Sequence, residues 1–269
     1  MTAKRRRSLA ARADPHALYE ASVQAPEGDI EFFLRAFRRH FRRTPALLRE
    51  DFCGTAYLAA TWVNGGRRRR AIGVDLDEAT LDWGRRRHLE PMTASTRRRI
   101  QLVCDDVREV TRPKADLICA LNFSYCTFKT RRDLGAYMRT VYRGLRREGL
   151  FVCELYGGTE AVVPIEERRE VDDFTYVWEQ ASYDPISNET LCYIHFEFAD
   201  GSKLERAFTY DWRLWTIPEL RELLAEAGFR RSEVYWEETD EDGDGTGEFR
   251  RTESEENQEG YIAYIVGVK

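Results

Sequence analysis

The chain of 269 residues predicts an α/β fold: a parallel sheet with helices on both faces. Three observations point there. Short apolar runs alternate with amphipathic stretches of helical period between residues 45 and 158. Those runs are continuously apolar, as buried parallel strands are, and do not alternate in and out. Val, Tyr, Phe and Thr-rich segments then follow from residue 171, with turn residues between them, which marks an antiparallel insertion.

The elements follow in order. The first 28 residues read as a flexible start. In "DIEFFLRAFRRHF" (29–41), Ile30, Phe33, Leu34, Phe37 and Phe41 share one helical face, and Pro45 follows the helix. "ALL" (46–48) begins a first strand. "TAYLAATWV" (55–63) and "EATLDWGRRRHL" (78–89) read as helices, with "AIGVDL" (71–76) as the strand between them. Strands follow at 100–106 and 115–123. The segment 130–147 is a helix capped by Thr130 and Asp133, and 149–158 is a strand ended by glycines. Segments 171–181, 190–199 and 203–211, parted by "DPISN" and "ADGS", form an insertion of about three strands. "TIPELRELLAEAGF" (216–229) carries a capping box in Thr216 and Glu219, Pro218 in its first turn and Gly228 at its end. Segments 231–238 and 260–269 are the arms of a long closing hairpin.

The stretch between those arms is acidic. Asp240, Asp242, Asp244 and Gly245 match the start of a calcium-binding EF-hand loop. Arg251 stands where that loop needs its last glutamate, and no helix pair flanks it, so a mobile acidic loop (239–259) is expected and no metal.

Composition bounds the function. A 42% apolar share fills a sizeable core, and no run approaches a membrane span of ~20 apolar residues. The net charge of −5 argues against a polyanion binder, although Arg runs stand at 5–7, 67–70, 85–87 and 97–99. Solvated connectors and helix ends account for those runs. The six cysteines form no CxxC pair and sit with no His cluster. Cys53, Cys104, Cys119 and Cys153 lie in or beside apolar runs and read as core residues of a reduced, cytoplasmic protein. The basic start "MTAKRRRSLAARA" lacks the apolar stretch of a secretory signal.

The order of elements, with Glu50-Asp51-Phe52-Cys53-Gly54-Thr55-Ala56 after the first strand, resembles the class I S-adenosylmethionine-dependent methyltransferases, in a bacterial type with an EDFCGTA loop. The resemblance covers about three quarters of the chain. It implies a Rossmann-like sheet of seven strands in the order 3-2-1-4-5-7-6, with only the seventh antiparallel. The implied division is residues 1–44 over the cofactor site, a core of 45–160, a substrate lid of 161–212, and 213–269 completing the sheet. One glycine serves where the family has more, since S-adenosylmethionine has no pyrophosphate to cradle. Gly54 matches the glycine at the cofactor, while Glu50, Thr55 and the amides of the helix start would meet the methionine end.

Further site residues follow from the resemblance. Asp75, 21 residues after Gly54, would accept the ribose hydroxyls, with Leu76 against the adenine. Its rival Asp77 has the alternative of capping the next helix. Asp106 with Val107 would bind the adenine edge, Asp105 being the other possibility. Asn122, at a strand end, would hold the methionine end or the acceptor. Arg49 would pair with the cofactor carboxylate or make a structural ion pair. Tyr19 would fold over the cofactor or make a surface contact.

The expected reaction is in-line methyl transfer to an oxygen or nitrogen of a small molecule. For a base, His195 and Glu154 are the candidates, His195 having the alternative of a packed strand histidine. Tyr125, Tyr156, Trp212, Arg213 and Trp215 would line the acceptor pocket, unless they simply pack lid against core. Three other readings stand beside this one. They are an RNA or protein methyltransferase using the Arg runs, a nicotinamide oxidoreductase, which the missing G-x-G-x-x-G disfavours, and a non-catalytic cofactor-binding protein.

Overall fold

The computed structural model describes residues 7–240, 243 and 245–269. Asp242 and Asp244, on which the calcium reading turned, lie outside them, as do Arg5 and Arg6. Among the described residues no group of His, Cys, Asp or Glu is arranged to hold a metal, and no helix is long and apolar enough to cross a membrane.

The chain divides into two compact units. The larger runs from Ala25 to Gly158 and from Trp215 to Lys269. The smaller comprises the residues up to Gln24 together with Thr159–Leu214. In chain order the elements are α1 (Pro15–Val23), α2 (Pro26–Phe41), β1 (Leu47–Asp51), α3 (Tyr57–Asn64), β2 (Arg70–Asp75), α4 (Glu78–Gly84), α5 (Ala94–Arg97), β3 (Ile100–Cys104), β4 (Ala115–Ala120), α6 (Arg131–Gly144) and β5 (Leu145–Gly157). There follow β6 (Ile165–Val171), β7 (Phe174–Asp184), β8 (Glu189–Phe198), β9 (Lys203–Arg213), α7 (Ile217–Ala227), β10 (Arg231–Thr239), β11 (Gly245–Thr252) and β12 (Tyr261–Val268).

The larger unit is built on one sheet in the order β3-β2-β1-β4-β5-β12-β10-β11. The first five strands pair in parallel; β12 runs antiparallel to β5 and β10. This is the expected seven-strand order, extended by one strand. The extra strand is β11, antiparallel to β10, inside the segment read as a mobile acidic loop. Phe249 anchors it: its ring lies 4.2 Å from that of Tyr264 and 5.8 Å from Phe32. The helix caps are those read from the sequence. Thr130 receives the Asp133 N–H, Thr216 and Glu219 form a reciprocal capping box, and Gly228 ends α7 at φ 107°. Asp116 ties strand starts together: its fully buried carboxylate accepts the N–H groups of Ala46 and Leu47 and meets the guanidinium groups of Arg43 and Arg146.

The smaller unit is a four-stranded antiparallel sheet, β6-β7-β8-β9, one strand more than expected. The addition is β6, "IEERREV", whose mostly exposed polar side chains give no strand signal. The flexible start is also corrected. Asp14 caps α1 by accepting from His16 and Ala17, and Leu18, Tyr19 and Val23 of that helix pack on Phe174, Ile194 and Phe196. The described chain from Arg7 to Gln24 thus belongs with the insertion, and only α2 belongs with the core, where a single covering segment of residues 1–44 was expected. Cys104 is exposed rather than buried, because β3 is the edge of its sheet.

Candidate active site

In an open parallel sheet a ligand lies beyond the carboxyl ends of the strands, where the order reverses. Here that point is between β1 and β4. The loop after β1 is wound tightly. Phe52, Gly54 and Ala56 all have left-handed backbones, at φ 58°, 51° and 58°. A non-glycine residue there carries strain of ~1–2 kcal/mol, so packing must hold the turn. The Phe52 ring meets those of Phe128 and Tyr137, and buried Cys53 donates its N–H to Val74 of β2. The family's other loop glycines are absent, but a glycine on α4 allows the close approach instead. A Cβ on Gly84 would stand 2.0 Å from the Thr55 carbonyl oxygen.

Asp75 closes the loop from the next strand. Its Oδ2 accepts the Gly54 N–H at 2.7 Å and its Oδ1 the Asp77 N–H at 3.0 Å. Each oxygen keeps a second lone pair, so two hydroxyl donors can still be received. Leu76, directly after it, is 70% exposed, unusual for a large apolar side chain at a strand end. Asp77 caps α4, accepting from Ala79 and from the Thr80 hydroxyl. At the end of β3, Asp106 is held bidentately by Arg108, which keeps its carboxyl below the usual range; Val107 is buried and Asp105 is exposed.

Arg49 takes the structural of its two readings. It is fully buried, donates to Asp51 at 2.7 Å and to the Val110 carbonyl, and so is committed within the core. Asp51 also receives the Tyr137 hydroxyl at 2.9 Å. Glu50, buried on the opposite sheet face, accepts the Ala59 N–H of α3 at 2.9 Å. Burial pushes the Glu50 carboxyl up to about 8, and neighbouring Asp29 and Asp75 push the same way.

Across the switch point, Glu154 of β5 is half-buried and accepts the Asn122 N–H at 2.7 Å. Desolvation raises it to about 8, with Asp29 adding to the effect. Asn122 and Phe123 both have left-handed backbones, and the Phe123 ring lies 4.7 Å from Tyr156. Asp29, in the first turn of α2, receives the Tyr264 hydroxyl, and burial raises its carboxyl to about 6. No sequence motif marks Asp29 or Tyr264. Their only signal was an acid at the head of an amphipathic helix.

The acceptor-side candidates scatter. Tyr125 is fully buried, so its side chain does not line an open pocket; the single 3-10 turn Ser124–Thr127 directs it into the core. Trp215 is buried and donates to the Phe128 carbonyl at 3.2 Å. Tyr156 remains half-buried. The others belong to the smaller unit. Trp212 is buried against Trp178 and Tyr210, and Arg213 is half-buried. Tyr19 packs on Phe208, 4.9 Å between ring centres, inside that unit. His195 has both ring nitrogens engaged. Nδ1 accepts the Arg206 N–H at 3.1 Å, so Nε2 carries the proton toward Glu179 at 2.8 Å. That is a packed strand histidine, not a free base.

No protein-family model matches the chain, and no curated protein sequence does. Solved structures do match. An S-adenosylmethionine-dependent methyltransferase from Clostridium acetobutylicum superposes with a TM-score of 0.69 at 16% identity, over 94% of this chain and 97% of that one. A sugar N-methyltransferase from a Streptoalloteichus species gives 0.64 at 19% identity, over 100% and 97%. An amino pentose methyltransferase from Micromonospora echinaspora, solved with S-adenosylmethionine bound, gives 0.63 at 17%, over 93% and 95%. These likenesses extend over almost the full length of each protein, and what they establish is architecture: the chain has the fold of these methyltransferases.

Proposed function

We propose that the protein is an S-adenosylmethionine-dependent methyltransferase acting on an oxygen or nitrogen of a small molecule. The observation that carries this reading is the joined pair Gly54 and Asp75: a left-handed turn at the end of β1, tied to a carboxylate that keeps two lone pairs free at the end of β2. Asp75 would receive the ribose hydroxyls, exposed Leu76 would lie against the base, and Asp105 or Asp106 with Val107 would meet its edge. The Gly54–Thr55 segment, Glu50 and Asn122 would hold the amino-acid end. The donor set fits the group chemically, since Asp29, Glu50, Asp75 and Glu154 make no ion pair to a basic side chain among the described residues. Such carboxylates suit a ligand bearing a sulfonium and an ammonium. When bound, the group supplies a methyl already activated for displacement. The chain's own contribution is alignment at the β1/β4 switch point and exclusion of water. Glu154, held by Asn122, would accept a proton from the acceptor there. The solved sugar N-methyltransferase and amino pentose methyltransferase of like fold support a small-molecule acceptor.

The test is calorimetric titration with S-adenosylmethionine and S-adenosylhomocysteine, followed by a labelled-methyl acceptor screen. Absence of heat with both ligands refutes the reading. Strong, salt-dependent RNA binding would favour the nucleic-acid alternative instead.

A further inference from the structure

Behind the loop after β1 lies a buried polar set where apolar side chains would pack at less cost. Arg49 and Asp51 alternate with Glu50 along β1, so they point to the opposite sheet face, toward α6. Tyr137 and Thr140 of that helix are buried as well. One Asp51 oxygen receives both the Arg49 guanidinium at 2.7 Å and the Tyr137 hydroxyl at 2.9 Å. Its other oxygen and the Arg49 Nε are buried without partners. A buried ion pair is often no more stable than apolar residues of like volume, and unpartnered atoms add to its cost. Stability therefore does not account for the set, but what it touches does. Phe52, the next residue, opens the left-handed turn at φ 58°, and its ring lies 5.7 Å from Tyr137 and 5.8 Å from Phe128. Tyr137 thus holds both the end of β1 and the start of the strained turn. The same groups reach the loop after β3. Arg49 donates to the Val110 carbonyl, and the Thr140 hydroxyl donates to the Arg108 carbonyl at 2.9 Å. Arg108 grips Asp106, with its guanidinium 5.2 Å over the Phe128 ring, and that ring lies 5.4 Å from Tyr137.

We propose that Tyr137, with Arg49, Asp51 and Thr140, is a brace that presets the spacing between the turn at 52–56 and the loop at 105–110. All four are positioning residues: each acts through the loop residues it holds, and none need touch the cofactor. This rests on the cofactor reading above and deepens it, since the amino-acid end belongs to the first loop in that reading and the base to the second. A ligand that spans both loops profits from each in full only when their separation is already fixed. Otherwise the ordering of the strained turn is subtracted from binding. A ligand lacking the amino-acid end engages only Asp75 and the second loop, and does not depend on that spacing.

The test is calorimetry and thermal unfolding of the full chain with two probes, S-adenosylhomocysteine and methylthioadenosine, the nucleoside thioether without the amino-acid end. Tyr137→Phe keeps the ring against Phe52 and removes only the hydroxyl. It should weaken S-adenosylhomocysteine about tenfold and methylthioadenosine by about threefold or less. Arg49→Met, Asp51→Leu and Tyr137→Phe combined remove the whole polar set. That variant should keep a melting temperature at or near the wild-type value while losing at least as much affinity for S-adenosylhomocysteine. Affinity that falls without stability, and for the spanning ligand only, is what a merely structural ion pair would not produce. If either variant fails to fold, Thr140→Val, which removes the α6 anchor of the second loop, decides by the same comparison of the two probes. Equal losses for both probes, or wild-type affinity for both, overturn the brace and leave the cofactor reading standing. Binding of neither probe to the wild-type protein overturns both.

Discussion

Replacing Asp75 separates cofactor recognition from loop architecture. Its carboxylate accepts two backbone N–H groups, from Gly54 at 2.7 Å and Asp77 at 3.0 Å. Hydrogen bonds to a charged group contribute ~1.5–3 kcal/mol each, and the half-buried setting argues for the lower part of that range. Asp75→Ala should thus destabilise the fold by about 3–4 kcal/mol. Asp75→Asn keeps one acceptor oxygen at nearly the same volume and should cost about half as much. Both remove the charge offered to the ribose hydroxyls, so both should weaken S-adenosylhomocysteine binding by ~1–3 kcal/mol, about 5- to 150-fold in Kd. Calorimetric titration gives the affinity, and urea unfolding gives the stability. Asp77→Ala is the control. It removes only the α4 cap, so it should cost ~0.5–2 kcal/mol of stability with little change in Kd. If Asp75→Asn binds the ligand as wild type does, or if Asp77→Ala loses more affinity than it, the ribose assignment is wrong.

Arg49→Met should destabilise the protein by ~3–5 kcal/mol in denaturant unfolding, because it leaves the buried Asp51 carboxylate without its counter-charge. Gly84→Ala must push α4 from the Thr55 backbone, and a loss of ~1–3 kcal/mol together with weakened cofactor binding is expected. For Glu154, the folded carboxyl is raised from 4.5 to about 8, so charging is disfavoured in the native state. Its contribution is favourable below its unfolded value and is lost as pH rises toward about 8. Glu154→Gln should therefore raise Tm at about pH 8.5 in the ligand-free protein and change it little at about pH 4.

Much of the architecture was legible because burial leaves a periodic trace. The continuous apolar runs of β4 and β5, the Thr216 and Glu219 capping box and the spacing from Gly54 to Asp75 are all local patterns. What escaped was non-local or polar. The β6 sequence "IEERREV" has no apolar face to read, and β11 is held by the single ring of Phe249. The α1 helix is short and weakly amphipathic, and packing on Ile194 and Phe196 holds it. In the candidate site, the loop and Asp75 follow from order along the chain. The meeting of Asp51 with Tyr137 does not, since segments 86 residues apart bring them together. The aromatics assigned to an acceptor were the least legible: Tyr125, Trp212 and Trp215 look alike in sequence whether they face a ligand or a core, and here all three are buried.

The added strand also bears on solubility. A parallel core that stopped at β10 would offer neighbouring molecules a rim carrying Val234, Tyr235 and Trp236. With β11 alongside, the rim presents Glu248, Arg250 and Arg251 around two glycines, and its one large ring is turned inward onto Tyr264. Charged, glycine-interrupted rims are poor templates for intermolecular β-pairing. The short charged hairpin arm thereby disfavours edge-to-edge pairing, and a chain lacking residues 245–252 should precipitate at concentrations the intact protein tolerates.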